Sequence, residues 1–148
     1  MRSLDTSQLA TTTGQEATFL VQEMKDLYTR GYQAWEVGDI NTACDHFACL
    51  ALLQPQNPQF LFAFACCLQQ QKAYAQAMAL FAYTLSQQAT NPFAAFHGGE
   101  CALALAENAL AYEAFTLTRE LCFTQSSDNP HYTALRQQAE DQLSALNG

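Results

Sequence analysis

The sequence predicts an all-α chain of three stacked helix pairs. Three observations carry this. The pattern Ala-x-x-x-Phe recurs in one phase, at Ala43/Phe47, Ala77/Phe81 and Ala111/Phe115, with an interval of 34 residues. A small residue recurs in the same phase, at Gly31, Ala65 and Gly99. Asn57-Pro58 and Asn91-Pro92, again 34 apart, stand where helices would begin, because Pro is welcome in a first helical turn and nowhere later. A unit of this size cannot enclose a core alone, so a fixed period implies stacking into a solenoid.

Taken in order, residues 1–12 are polar and aperiodic, and we expect a flexible N-terminus. Thr13-Gly14-Gln15-Glu16 fits a capping box, and Leu20, Met24, Leu27 and Gly31 follow at helical spacing. Either a short N-terminal helix precedes the first repeat, or one long helix runs from about 14 to Val37. The repeats fall at 24–57, 58–91 and 92–125. Their first (A) helices are expected at 24–37, 58–71 and 92–105, and their second (B) helices at 41–54, 75–88 and 109–122. Gly38-Asp39 breaks the first pair, while Lys72 and Ala106 stand where the later repeats would carry that glycine. Asn129-Pro130 looks like a third Asn-Pro start displaced by four residues. A last helix over 130–146 puts Leu135, Ala139, Leu143 and Leu146 on one face, as a terminal cap requires. Residues 13–147 thus read as a single domain.

The 34-residue, two-helix unit resembles the tetratricopeptide repeat. That resemblance implies a short right-handed superhelix, with an N-terminal helix and a C-terminal capping helix. The eighth position (Gly31, Ala65, Gly99) is where the helices of one unit cross, with the Ala of Ala-x-x-x-Phe opposite it. The Phe is expected to fill the space between units.

Composition limits the function. Hydrophobic residues make up 49% of the chain, enough for a continuous core, while charged residues make up 14%, against roughly 25% in ordinary soluble domains. Net charge is −8 with six basic residues, which argues against nucleic acid and against anionic lipid. No run approaches the ~20 apolar residues of a membrane span, and we read no secretory leader. The six cysteines contain no C-x-x-C pair and fall within predicted helices, so buried thiols are expected. Cytoplasmic residence follows from these readings.

In stacked units the A helices line the concave face, with positions 2, 5, 9, 12 and 13 pointing into it. Repeat 1 supplies Lys25, Tyr28, Tyr32, Trp35 and Glu36. Repeat 2 supplies Gln59, Phe62, Cys66, Gln69 and Gln70. Repeat 3 supplies Phe93, Phe96, Glu100, Leu103 and Ala104. The candidate groove is therefore Tyr28, Tyr32, Trp35, Phe62, Cys66, Gln69, Phe93, Phe96 and Glu100. Aromatic rings on such a surface suit an apolar or amphipathic peptide, through large buried area and little rotamer loss. Phe93, beside a repeat junction, has packing as its alternative role. A clamp for a terminal carboxylate would need Lys and Asn where Tyr28 and Tyr32 stand, so an internal apolar segment is the expected ligand.

Catalysis is not expected. His46, His97 and His131 are scattered, and His46 with Cys49 lacks the further ligands of a zinc site. His97 and Glu100 share a helical turn but read as a solvated pair rather than an acid–base couple. Gly98-Gly99 is explained by helix crossing, not phosphate binding. No metal or cofactor is predicted.

From Leu27 to about Cys122 the chain resembles the class II, or translocator, chaperones of bacterial type III secretion. The carrying residues are Leu27-Tyr28-x-x-Gly31-Tyr32-x-x-Trp35-x-x-Gly38-Asp39, then Ala43-x-x-x-Phe47, Gly99-Glu100-Cys101 and Ala111-x-x-x-Phe115. The resemblance implies a bacterial cytoplasmic protein that holds an extended apolar segment of a hydrophobic secreted translocator, or of an effector, and keeps it soluble before export. Tyr28, Tyr32, Trp35 and Phe62 match its groove. The segment before the first repeat often mediates homodimerisation in that family, so a second copy is a candidate partner. The competing readings are a generic adaptor between folded proteins and a co-chaperone of a secretion-apparatus subunit.

Overall fold

The computed structural model describes residues 14–125 and 129–148. The expectations for 1–12, for the Thr13 cap and for the centre of the loop before Asn129 lie outside them. Seven helices follow one another among the described residues: α1 (Gly14–Glu36), α2 (Ile40–Leu53), α3 (Pro58–Gln70), α4 (Tyr74–Gln87), α5 (Pro92–Ala104), α6 (Asn108–Gln125) and α7 (Pro130–Asn147). Among the described residues there is no strand. Each helix packs on the next in sequence, and α5 also meets α3 and α7. The N-terminal alternative resolves as one continuous helix, α1, whose last four turns form the first A helix.

Local chemistry sets the helix boundaries. Asn57, Asn91 and Asn129 are N-caps, each followed by Pro, and each side-chain oxygen accepts from backbone N–H groups of the first turn. The three A–B turns share one geometry. Asp39 N–H donates to Ala34 C=O and Gly38 N–H to Trp35 C=O; Ala73 and Lys72, then Glu107 and Ala106, repeat both bonds. This is the Schellman closure, and it needs a left-handed residue. Gly38 has φ 82°, Lys72 64° and Ala106 60°. The later repeats therefore keep the turn despite having lost its glycine.

The four-residue displacement of Asn129 also has a location. α2 and α4 are 14 residues long, but α6 is 18. The insertion is about one further turn of α6, which leaves its buried face in register. The expected end of that helix, 122, is thereby moved to 125.

The core has three clusters, one per Ala-x-x-x-Phe. Phe47 packs with Ala34, Leu50 and, from the next helix pair, Ala63 and Cys67. Phe81 packs with Ala65, Ala94 and Cys101. Phe115 packs with Phe96, Leu135, Ala139 and Leu143. Each ring is at most 1% exposed and contributes roughly 1.5–3 kcal/mol of hydrophobic stabilisation. The next A helix completes each cluster, and α7 takes that place for the third. Cys67, Cys101 and Ala139 occupy the same place, nine residues after the opening Pro, and all are fully buried.

The eighth position needs one refinement. A Cβ on Gly31 would lie 2.8 Å from the Phe47 ring, and one on Gly99 would lie 2.8 Å from the Phe115 ring. It is the Phe of the same unit, not only its Ala, that demands a small residue there. In α7 the equivalent position is Gln137, which is exposed. Thr84 and Thr118 are fully buried where repeat 1 has Leu50; each hydroxyl donates to the carbonyl four residues back, Leu80 or Ala114.

Candidate functional site

The A helices α1, α3 and α5 line one face, and the residues predicted for the groove divide there by accessibility. Tyr28 and Tyr32 are one turn apart, so both rings lie over Phe47, with centroids 5.9 and 5.4 Å from it. Their hydroxyls are 3.3 Å apart, Tyr28 donating to Tyr32. Tyr32 is 41% exposed. Burial raises its pKa well above the ordinary phenol value, so it is neutral at any physiological pH. Tyr28 is half-buried and also touches Phe60, at 5.7 Å. Trp35 is half-buried against the first core cluster.

Phe62 and Cys66 of α3 continue the face, both half-buried. The Phe62 ring leans on Phe81 at 5.7 Å and on the His97 imidazole at 6.2 Å. Burial pushes the Cys66 thiol up to about 12, with neighbouring Cys67, Cys101 and Glu100 adding to it. Cys67 rises to about 12 and Cys101 to about 11, burial again leading. These thiols are small apolar packing units, not nucleophiles.

Gln69 and Glu100 meet across the α3–α5 junction. Gln69 Nε2 donates to Glu100 Oε1 at 3.1 Å, and His97 Nδ1 lies 2.7 Å from the same oxygen. An ionised carboxylate only accepts, so Nδ1 carries the proton. Burial alone would raise the Glu100 pKa. The His97 and Gln69 hydrogen bonds, with the attraction of the imidazole, outweigh it and hold the carboxyl below its ordinary value. The pair that sequence reads as solvated is thus part of a three-residue network with defined partners.

The other two predicted residues are placed differently. Phe96 is 5% exposed and stacks on Phe115 at 5.4 Å, so it supports the face from beneath and offers no surface. Phe93 is half-buried against Tyr132 of α7, at 5.8 Å. The periodicity that places a residue on a face does not say whether a neighbouring helix covers it.

One cleft joins expected groove positions (Lys25, Tyr28 and Gln59) to residues outside them. This cleft of about 500 Å³ lies between α1 and the start of α3, lined by Val21, Met24, Lys25, Tyr28, Gln59 and Phe60 among others. Val21, Met24 and Tyr28, three and four residues apart, carried a signal for it in sequence, but they lie partly before the first repeat boundary. Among the described residues no group of three or more His, Cys, Asp or Glu is placed to hold a metal ion, and no helix is long and apolar enough to cross a membrane.

This architecture is shared with known proteins. The tetratricopeptide repeat family model matches residues 58–89, almost all of the second repeat. The chain has the tetratricopeptide-repeat fold. Among solved structures, PcrH of Pseudomonas aeruginosa in complex with the chaperone-binding region of PopD is 23% identical; the match covers 99% of this chain and 96% of that one, with TM-score 0.75. The type III secretion chaperone SycD of Yersinia enterocolitica, in complex with a peptide of the translocator YopD, is 23% identical over 85% of this chain and 93% of that one, at TM-score 0.77. SycD in an alternative dimer is 22% identical over 85% and 92%, at TM-score 0.76. No curated protein sequence matches the chain. With PcrH the similarity extends beyond the repeats to almost the whole chain.

Proposed function

We propose that the protein is a cytoplasmic chaperone of bacterial type III secretion. It binds an extended apolar segment of a hydrophobic translocator on the face of α1, α3 and α5, and keeps that protein soluble before export. The observation that carries this is the accessible aromatic run Tyr28–Tyr32–Phe62 on the A-helix face, in a fold whose similar structures hold translocator segments. The physical basis is direct. An apolar segment exposed before membrane insertion is an aggregation hazard, and covering it against rigid aromatic walls removes the hazard. Binding without chemistry fits thiols raised far above neutrality and an imidazole committed to a carboxylate. An effector as client, rather than a translocator, uses the same groove. The face beginning at Phe19, Leu20 and Val21, exposed at the start of α1, would serve a second copy of the chain; SycD too is seen as a dimer.

The test is co-purification from the native bacterium, with the tagged wild type beside Tyr32→Ala/Phe62→Ala. The expected result is a secreted, membrane-active protein at near-equal amount with the wild type, lost with a double variant of unchanged helicity. Recovery of only folded cytoplasmic or apparatus proteins, or a partner indifferent to the double substitution, contradicts the reading.

A further inference from the structure

The groove carries one feature that apolar recognition does not explain. Glu100 sits on the third A helix, beside the aromatic and thiol side chains of the face, its side chain 35% exposed. Half-burying a carboxylate there is unfavourable, and two neighbours from different helices hold it ionised and oriented. Gln69 and His97 both bond Oε1. Among the described residues Oε2 accepts no hydrogen bond. The carboxylate is therefore fixed through one oxygen, and the other is left for a further donor. The neighbouring Cys66 thiol is neutral, and Lys25, the one basic residue expected on this face, lies on α1.

We propose that Glu100 is a specificity residue of this groove, accepting a charge-assisted hydrogen bond through Oε2 from a Lys or Arg side chain of the bound segment. Gln69 and His97 are its positioning residues. This rests on the groove reading above and adds to it. The client segment is then not uniformly apolar: apolar side chains cover Tyr32 and Phe62, and one basic side chain reaches the third repeat at Glu100. Charge complementarity favours a cation over a neutral donor, because the chain has a net charge of −8 and a fixed anion in a partly desolvated site discriminates strongly by sign. A backbone N–H of the segment could also reach such an oxygen, but it would give no sequence preference, and the experiment separates the two.

A random 12-residue peptide library displayed on phage is selected against the wild type, Glu100→Gln and Tyr32→Ala/Phe62→Ala. The wild type should enrich apolar peptides with Lys or Arg at a fixed spacing from the apolar positions, and Glu100→Gln should enrich the apolar pattern without the basic residue. A selected peptide should then lose about tenfold in affinity either on Glu100→Gln or on replacing its basic residue with norleucine, with little further loss when both changes are made. Equal motifs from the wild type and Glu100→Gln, or independent losses in that cycle, overturn the role of Glu100 and leave the groove reading intact. Peptides enriched equally by the aromatic double variant overturn both.

Discussion

At the scale of the residue, most of the architecture rests on steric demands made by three phenylalanines. Phe47 and Phe115 each press a ring against a glycine of their own repeat, at a distance no Cβ could occupy without displacement. Gly31→Ala should destabilise the fold by about 1–3 kcal/mol through overpacking, read as a lowered denaturant midpoint at unchanged m-value. The reverse case is Ala106, held at φ 60° by the Schellman turn. Left-handed backbone costs a non-glycine residue about 1–2 kcal/mol, partly offset by the greater freedom of glycine in the unfolded chain. Ala106→Gly should therefore stabilise by about 0.5–1 kcal/mol in the same measurement. Much at this scale was legible in the sequence. The phase of Ala-x-x-x-Phe fixed which rings would be buried, and all three are. What phase could not show was coverage: Phe96 and Tyr32 hold groove positions alike, yet Phe115 and the third-repeat packing enclose the first while the second stays open.

At the scale of the element, boundaries follow side-chain chemistry wherever that chemistry is specific. The Asn-Pro pairs marked three helix starts, and the structure uses all three as N-caps. The end of α6 carried no such marker, so its additional turn was visible only as a displaced Asn129. The A–B turns of repeats 2 and 3 look degenerate in sequence because glycine is absent, but backbone hydrogen bonding imposes the left-handed residue regardless. Between elements, the Gln69–Glu100–His97 network ties α3 to α5. A carboxyl whose pKa is lower folded than unfolded stabilises the fold while ionised, and that stabilisation is lost as pH falls through the folded pKa. Relative to Glu100→Gln, the wild type should hold a constant advantage in thermal midpoint above about pH 6 and lose it progressively below the ordinary carboxyl value of 4.5. An advantage independent of pH down to about 3 would show that ionised Glu100 does not contribute.

At the scale of the whole molecule, the chain is a short stack closed by α7. Leu135, Ala139 and Leu143 complete the cluster around Phe115, while Gln137 on the same helix is exposed. Ending the chain before Asn129 should uncover that cluster, lower the thermal midpoint and produce concentration-dependent association, measured by light scattering. A truncated chain that stays monomeric with an unchanged midpoint would mean that α7 is not a cap. In the groove account, the A-helix face is the extended surface on which a client segment lies. Tyr32 on that face and Tyr112 on α6 are almost equally exposed, at 41% and 43%. Exposure alone therefore cannot favour one over the other. The most direct measurement places a photo-crosslinking side chain at Tyr32 or at Tyr112 and irradiates the co-purified complex. The groove account predicts a crosslink to an apolar stretch of the client from Tyr32 and none from Tyr112. A crosslink from Tyr112 alone would contradict it.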